Sequence, residues 1–354
     1  METYGSLTVI VARFAMTFTL FSLVLGCGGN SSTTPTDGAS GGANGKQCVL
    51  DNCDSSTTWQ SVSVGSGAAC AIRADSTVLC WGSSMYGAPG TFATLNSVSV
   101  GLGDEEYFYG DSITTFNGYQ TIKSACGVKT DGTLDCWWEG YMAPPSGSFS
   151  LVSTGSNFAC GLNTDGTVVC WGDQQYQQND HGQINPPTGT FSMVSAGLES
   201  ACGIRPDRTL VCWGRSMNSS TSTATSTTTS TSTGMGTTIA GTFSSVSVGY
   251  GFACAIRTDG SLLCWGENSD GQTTEPNGSF VSVSAGSGSA CAVNTEHTIV
   301  CWGSTMTPRY LNGPTQPPGG TYASVSVGDI FACGVMTDGT LACWGHFPGM
   351  PPKS

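Results

Sequence analysis

Seven times along the chain a short run alternating apolar and hydroxyl residues is followed, across a glycine-bearing gap, by two further apolar runs joined by a polar turn. The clearest unit is 243–266, FSSVSVGYGFACAIRTDGSLLCWG. Its Val-Ser-Val alternation has the period of two that belongs to a strand. FACAIR and SLLCWG flank Thr258-Asp259-Gly260, the composition of a three-residue hairpin loop in which a type I turn is closed by a left-handed glycine. That loop sets Ile256 opposite Leu262, Ala255 opposite Leu263 and Cys254 opposite Cys264. The cysteine pair then falls at a non-hydrogen-bonded site, where facing side chains are closest and a cross-strand disulfide fits. Cys254, Ile256, Leu262 and Cys264 share one face, and Ala255, Leu263 and Trp265 the other. A sheet apolar on both faces must be covered on both.

The same spacing joins Cys70 to Cys80, Cys126 to Cys136, Cys160 to Cys170, Cys202 to Cys212, Cys291 to Cys301 and Cys333 to Cys343. A tryptophan follows each second cysteine: Trp81, Trp137, Trp171, Trp213, Trp265, Trp302 and Trp344. Paired cysteines also serve zinc, but zinc sites call for closer Cys-x-x-Cys knuckles or histidines, so disulfides are the expected state. Ahead of each hairpin stands aromatic-x-x-V-S-x-G or a near variant, starting at Trp59, Phe149, Phe191, Phe243, Phe280 and Tyr322, with Leu95 in the aromatic's place in the second unit. The first cysteines recur at intervals of 56, 34, 42, 52, 37 and 42 residues, the period of a propeller or solenoid. Lone three-stranded sheets cannot bury two apolar faces, whereas seven in a circle cover them all. The expected fold is therefore all-β, a seven-bladed β-propeller over 58–354 with three to four antiparallel strands per blade and one disulfide per blade.

The N-terminus is of another kind. Arg13 precedes the apolar run Phe14–Leu25, which is too short to span a bilayer, and Gly26-Cys27 follows. Residues 1–26 read as a signal peptide. Val24-Leu25-Gly26-Cys27 resembles the lipobox of bacterial lipoproteins, which implies lipidation at Cys27; the alternative is plain secretion with a spare cysteine. Residues 27–57 read as the lipidated cysteine and a flexible Gly/Ser/Thr linker, within which Cys48 and Cys53 are left to pair as Cys48–Cys53.

Composition adds compartment and partner. Seventeen cysteines point to an oxidising environment, outside the cell or at its envelope, with the outer membrane or cell surface as the expected location. A formal charge of −13 argues against nucleic acid and anionic lipid as partners and leaves the lipid anchor as the membrane contact. No cofactor or metal is expected, and the chain is read as a monomer.

Units such as Phe243–Gln272, with their D-G-x-L-x-C-W-G core, resemble the regulator of chromosome condensation repeat family and its bacterial relative, beta-lactamase inhibitor protein II. The resemblance covers about 58–345 and implies a seven-bladed propeller. Roles in that family include nucleotide exchange on a small GTPase, photoreception and enzyme inhibition, so the fold does not carry the function. The histidine often found two residues before the first cysteine is Ala68, Ser124, Phe158, Ser200, Phe252, Ser289 and Phe331 in this chain, and the turn's Asp-Gly becomes Asp75-Ser76, Asp207-Arg208 and Glu296-His297 in three units. For an exported chain a small GTPase is not an expected partner.

Two insertions break the period. One, within 102–121, carries Asp104, Glu105, Glu106, Tyr107, Phe108 and Tyr109; the other is a low-complexity Ser/Thr loop over 216–238, a mobile loop or an O-glycan acceptor. Chain direction places the Asp-Gly turns on one side, called lower, and the loops before each hairpin and after each Trp-Gly on the other. The upper segments differ from unit to unit and hold Tyr86, the 104–109 cluster, Trp138, Tyr141, Tyr176, Tyr250 and Tyr310, with Glu199 and Asp329. Aromatics in variable loops on a rigid ring suit a protein- or glycan-binding face. Histidines at 181, 297 and 346 lie in unlike places, and no GxSxG, HExxH or P-loop occurs, so no catalytic residues are expected. The alternatives are a carbohydrate-active hydrolase or lyase, using carboxylates such as Asp173, Glu267, Asp270 and Asp329, and a purely structural surface protein.

Overall fold

The computed structural model describes residues 48–49, 58–82, 94–101, 125–137, 143–172, 181–217, 236–304 and 317–345. All of these residues lie in one compact unit within 43–354. The described strands make seven antiparallel sheets, five of three strands and two of four. Blades 1–7 are taken as 59–82, 95–137, 149–172, 193–214, 243–266, 280–303 and 322–345.

Blade 5 shows how the sequence makes the sheet. Its strands are Phe243–Val248, Phe252–Arg257 and Leu262–Gly266. Cys254 pairs with Cys264, Ala255 with Leu263 and Ile256 with Leu262. Each blade is bridged between its second and third strands, with cysteine Cα atoms 3.9–4.1 Å apart, the narrow separation of a non-hydrogen-bonded pair.

The leading aromatic poses a register problem. Phe243 and Val246 are three residues apart, which in a regular strand puts them on opposite faces. A bulge between Phe243 and Ser245 shifts the register by one, and both side chains then reach the same core cluster. The irregularity recurs in blades 1, 2, 3, 6 and 7. One extra residue thus lets an inner strand anchor a large ring at its lower end while its valines stay on the same face.

Seven core clusters fill the structure, each lying between neighbouring blades. The cysteine face of blade 4 meets Ala253, Ala255, Leu263 and Trp265 of blade 5, and the cysteine face of blade 5 meets Ala290, Ala292 and Trp302 of blade 6. The order continues to the last pair, where Cys333 and Cys343 of blade 7 pack with Ala69, Ala71 and Trp81 of blade 1. Every disulfide is therefore the floor on which the next blade's tryptophan face sits, and the circle closes on itself.

Two rings of hydrogen bonds repeat around this circle. At the lower side the N–H of each leading residue donates to a turn carbonyl of the preceding blade, as Phe280 does to Gly260 at 2.8 Å and Trp59 to Gly339 at 2.8 Å. Along the innermost strands, whose free edge would otherwise carry unpaired amides, one N–H per blade donates to a serine hydroxyl of the blade before. Val100 bonds Ser63, Thr154 bonds Ser99, Ala196 bonds Ser153, Val248 bonds Ser195, Ala285 bonds Ser247, Val327 bonds Ser284 and Val64 bonds Ser326, all at 2.8–3.0 Å. The serine of V-S-x-G is thus an edge acceptor, the answer to where these amides go. Replacing one, Ser284→Ala, strands the Val327 amide and is expected to cost about 1–3 kcal/mol in denaturant unfolding under oxidising conditions. A cost below about 0.5 kcal/mol would show that water substitutes freely for the hydroxyl.

Two blades gain a fourth, outer strand, one of them from the 48–57 segment, which together with the Pro-rich connectors is where the sequence leaves a fourth strand to come from. Cys48–Val49, within the stretch read as linker, pairs with the outer strand of blade 7, Cys48 opposite Cys343. Thr237–Ile239, at the end of the stretch read as a Ser/Thr loop, is a fourth strand on blade 4, with Ile239 opposite Leu210. Neither is long enough to show a period. The signal peptide, Cys27 and the Cys48–Cys53 pairing fall outside the described residues or their described side chains.

Candidate binding face

The two sides of the ring are built on different rules. On the lower side the carboxylates of Asp75, Asp131, Asp165, Asp207, Asp259 and Asp338 each accept from the amide and the hydroxyl of the Thr or Ser two residues on, at 2.6–3.0 Å. Blade 6 reaches the same end with Asn294, whose Oδ1 accepts from the amides of Glu296 and Thr298. Where glycine is replaced in these turns, Ser76, Arg208 and His297 keep the left-handed backbone, with φ of 68°, 71° and 62°. Turn shape is held by the Asp-x-Thr bonds at Ser76 and Arg208, and by the Asn294 bonds at His297, even where the residue is unfavourable for it.

Those bonds have a pH signature. The Thr or Ser hydroxyl, and then its amide, holds Asp75, Asp131, Asp165 and Asp259 below the usual carboxylate range. For Asp207 and Asp338 the amide contributes most and the hydroxyl next. A carboxylate more acidic folded than unfolded stabilises the fold above its unfolded pKa, and loses that effect as pH falls through the folded value. The thermal midpoint should therefore be flat from neutral pH to about pH 5 and fall below about pH 4. A drop between pH 6 and 7 would place the acid sensitivity elsewhere.

The upper side is crowded at its centre and varied at its edge. After six of the seven inner strands comes Gly65, Gly155, Gly197, Gly249, Gly286 or Gly328, where a Cβ would run into the carbonyl oxygen of the equivalent glycine in the next blade, that of Gly101 in the case of Gly65. Outside this collar the groups vary, although Gly65-Ser66-Gly67 of blade 1 recurs as Gly286-Ser287-Gly288 in blade 6. Glu199 of blade 4, mostly buried, takes the Arg215 guanidinium at 2.7 Å and stands 3.5 Å from His181 Nε2, tying together the connectors before and after its blade. Ser287 of blade 6 donates to Asp329 of blade 7 at 2.5 Å. Asp270 lies beside Gly288, so two carboxylates approach adjacent residues from different connections. Gln183 and Gln272 lend backbone carbonyls to the indole N–H groups of Trp213 and Trp302, at 3.0 and 2.9 Å, which fixes the connector of one blade onto the next.

Tyr250 is half-buried on this side, and its amide donates to Gly286 at 3.0 Å. Tyr86, Asp104, Glu105, Glu106, Tyr107, Phe108, Tyr109, Trp138, Tyr141, Tyr176 and Tyr310 lie outside the described residues, as does Asp173. Of the histidines, His181 belongs to the Glu199 cluster and His297 to a lower turn, its Nδ1 3.0 Å from the Tyr322 carbonyl. They do not converge. Among the described residues no group of three or more His, Cys, Asp or Glu side chains comes together as a metal site.

The family model for the regulator of chromosome condensation (RCC1) repeat matches residues 149–183 and 243–272, blades 3 and 5 with the connectors that follow. Two of the seven blades match the RCC1 repeat. The fold of the ring is similar to the CRINKLY WD40 ectodomain of the Arabidopsis thaliana receptor kinase ACR4, with a TM-score of 0.57 and 22% identity over 84% of this chain and 100% of that one. The receptor kinase CR4 ectodomain of Physcomitrella patens superposes with a TM-score of 0.57 and 23% identity over 84% of this chain and 76% of that one. For Prp20p of Saccharomyces cerevisiae, described with its binding to Gsp1p and histones, the values are 0.57 and 14% over 85% and 84%. No sequence among curated proteins matches the chain. At these identities the neighbouring structures establish the fold alone, and function rests on the site.

Proposed function

We propose that this propeller is an exported, non-catalytic binding scaffold whose upper face engages a protein or a glycan at the cell envelope. One observation carries the reading: lower turns are repeated almost unchanged from blade to blade, whereas the described upper loops vary, the Gly-Ser-Gly of blades 1 and 6 giving way to Ser156-Asn157, Leu198-Glu199, Tyr250-Gly251 and Asp329-Ile330 in blades 3, 4, 5 and 7. A rigid ring with one invariant and one varied side is the arrangement in which loops differ because they are read by a partner. Seven buried or half-buried disulfides suit an oxidising compartment, and the apolar run before Cys27 supplies the route there. Such an anchored protein meets no cytoplasmic small GTPase, so the exchange role reported for other propellers of this fold is not carried over.

The test compares three forms of the full chain: wild type, one with 102–121 replaced by a short Gly-Ser linker and Tyr250→Ala added, and one carrying Asp165→Asn and Asp338→Asn in lower turns. Each is offered purified envelope proteins and a polysaccharide array. The upper-face variant should lose binding that the lower-face variant keeps. Equal binding by all three forms, or a saturable turnover of polysaccharide, would overturn the proposal.

A further inference from the structure

The seven disulfides are alike in geometry but not in access. The first cysteine of each pair, on the middle strand, is 0% exposed in every blade. The second, on the outer strand, falls into two classes. Cys212, Cys264 and Cys343 are buried, while Cys80, Cys136, Cys170 and Cys301 are half-buried. Cover accounts for the difference in two blades: Thr237–Ile239 lies against the outer strand of blade 4, with Thr237 opposite Cys212, and Cys48–Val49 lies against that of blade 7. In blade 5 the outer strand Leu262–Gly266 is buried at every position. The outer strand of blade 3 has no fourth strand among the described residues and bears Val169, 37% exposed.

We propose that the disulfides of blades 1, 2, 3 and 6 form a redox-labile set that a dithiol reductant opens ahead of those in blades 4, 5 and 7. Exchange needs a thiolate to reach a sulfur. In the labile blades it reaches the outer one, as at Cys80. The incoming thiolate bonds to Cys80 Sγ, the Cys70–Cys80 bond breaks, and Cys70 leaves as a thiolate that takes up a proton. The second thiol of the reductant then displaces Cys80, leaving a cyclic disulfide and two protein thiols, so that two electrons pass from reductant to protein.

The division has a consequence that rests on the binding reading given above. The connectors that leave the labile outer strands at 82, 137, 172 and 303 carry Tyr86, Trp138, Tyr141, Tyr176 and Tyr310, whereas those leaving the protected strands at 214, 266 and 345 carry none of the candidate aromatics. Opening the labile set therefore loosens the strands that lead into these aromatic connectors and spares the other three, while the 102–121 insertion and Tyr250 follow inner strands. It is a redox switch placed under the face that varies.

The test needs no partner, so it stands apart from the binding proposal. The oxidised full chain is exposed to limiting dithiothreitol for graded times, quenched with N-ethylmaleimide and mapped by peptide mass. Labelling at 70/80, 126/136, 160/170 and 291/301 should proceed about tenfold or more faster than at 202/212, 254/264 and 333/343. Tryptophan fluorescence should keep its folded value while only the first set is labelled. Concerted labelling of all seven pairs, or earlier labelling of 202/212, 254/264 or 333/343, would overturn the proposal.

Discussion

Complete reduction of the seven disulfides at neutral pH and 25 °C is expected to unfold the ring. Each bridge joins cysteines ten residues apart in sequence, and closing a loop of that size removes about 2–3 kcal/mol of entropy from the denatured chain. Seven such constraints come to about 15–20 kcal/mol on the chain-entropy model, against a typical net stability of about 5–15 kcal/mol for a folded domain. On the face that meets the preceding blade the buried side chains of the middle strands are small, Ala253 and Ala255 or Ala290 and Ala292, and they sit against that blade's cysteine pair. Far-ultraviolet circular dichroism of the fully reduced, alkylated chain should show loss of the sheet signal. Cys254→Ala combined with Cys264→Ala should cost about 2–4 kcal/mol while leaving the ring folded. A fully reduced chain that melts within a few degrees of the oxidised one would show that apolar packing alone holds the blades.

Much of this was legible in the sequence because covalent and periodic signals coincide. A turn that seats Gly260 in the left-handed region, with φ of 88°, admits one hairpin register. That register put Cys254 against Cys264 and split Ile256 from Ala255, as found. What stayed hidden were features with no period of their own. Ser247 and Ser284 look like the polar half of an alternating strand, and only the ring shows that each accepts an amide from the next blade. The bulge after Phe243 leaves no trace beyond an odd spacing. Thr237–Ile239 follows a run of threonines and serines, across Gly234-Met235-Gly236, in a stretch whose composition says loop; it is a strand because Leu210–Cys212 offers it a free edge. On the candidate face the sequence marks which segments vary, but which groups meet there, such as Glu199 with Arg215, follows from how two connectors converge on one blade.

The glycine collar makes the sharpest claim about the circle, and Gly286→Ala tests it. The backbone of Gly286 is not left-handed, so conformational freedom does not explain the residue. Space does. A methyl group there would press into the carbonyl of Gly328 in the next blade and lie 2.9 Å from Val327 Cγ1. The oxygen belongs to the backbone, and moving it displaces the inner strand of blade 7, whose Val327 amide is bonded to Ser284. The substitution is expected to cost about 3 kcal/mol or more, at the upper end of overpacking effects, or to prevent recovery of folded oxidised protein. Two controls separate the causes. Gly271→Ala meets no atom within 4 Å but sits at φ of 79°, so it should cost about 1–2 kcal/mol from the backbone alone. Gly319→Ala meets neither obstacle and should lie within about 0.5 kcal/mol of wild type. Because the same contact recurs at Gly65, Gly155, Gly197, Gly249 and Gly328, each blade leans on its neighbour and displacement at one has nowhere to relax. If Gly286→Ala unfolds at the same denaturant concentration as Gly319→Ala, the inner strands stand further apart than this packing requires, and the serine bonds alone must hold the centre of the ring.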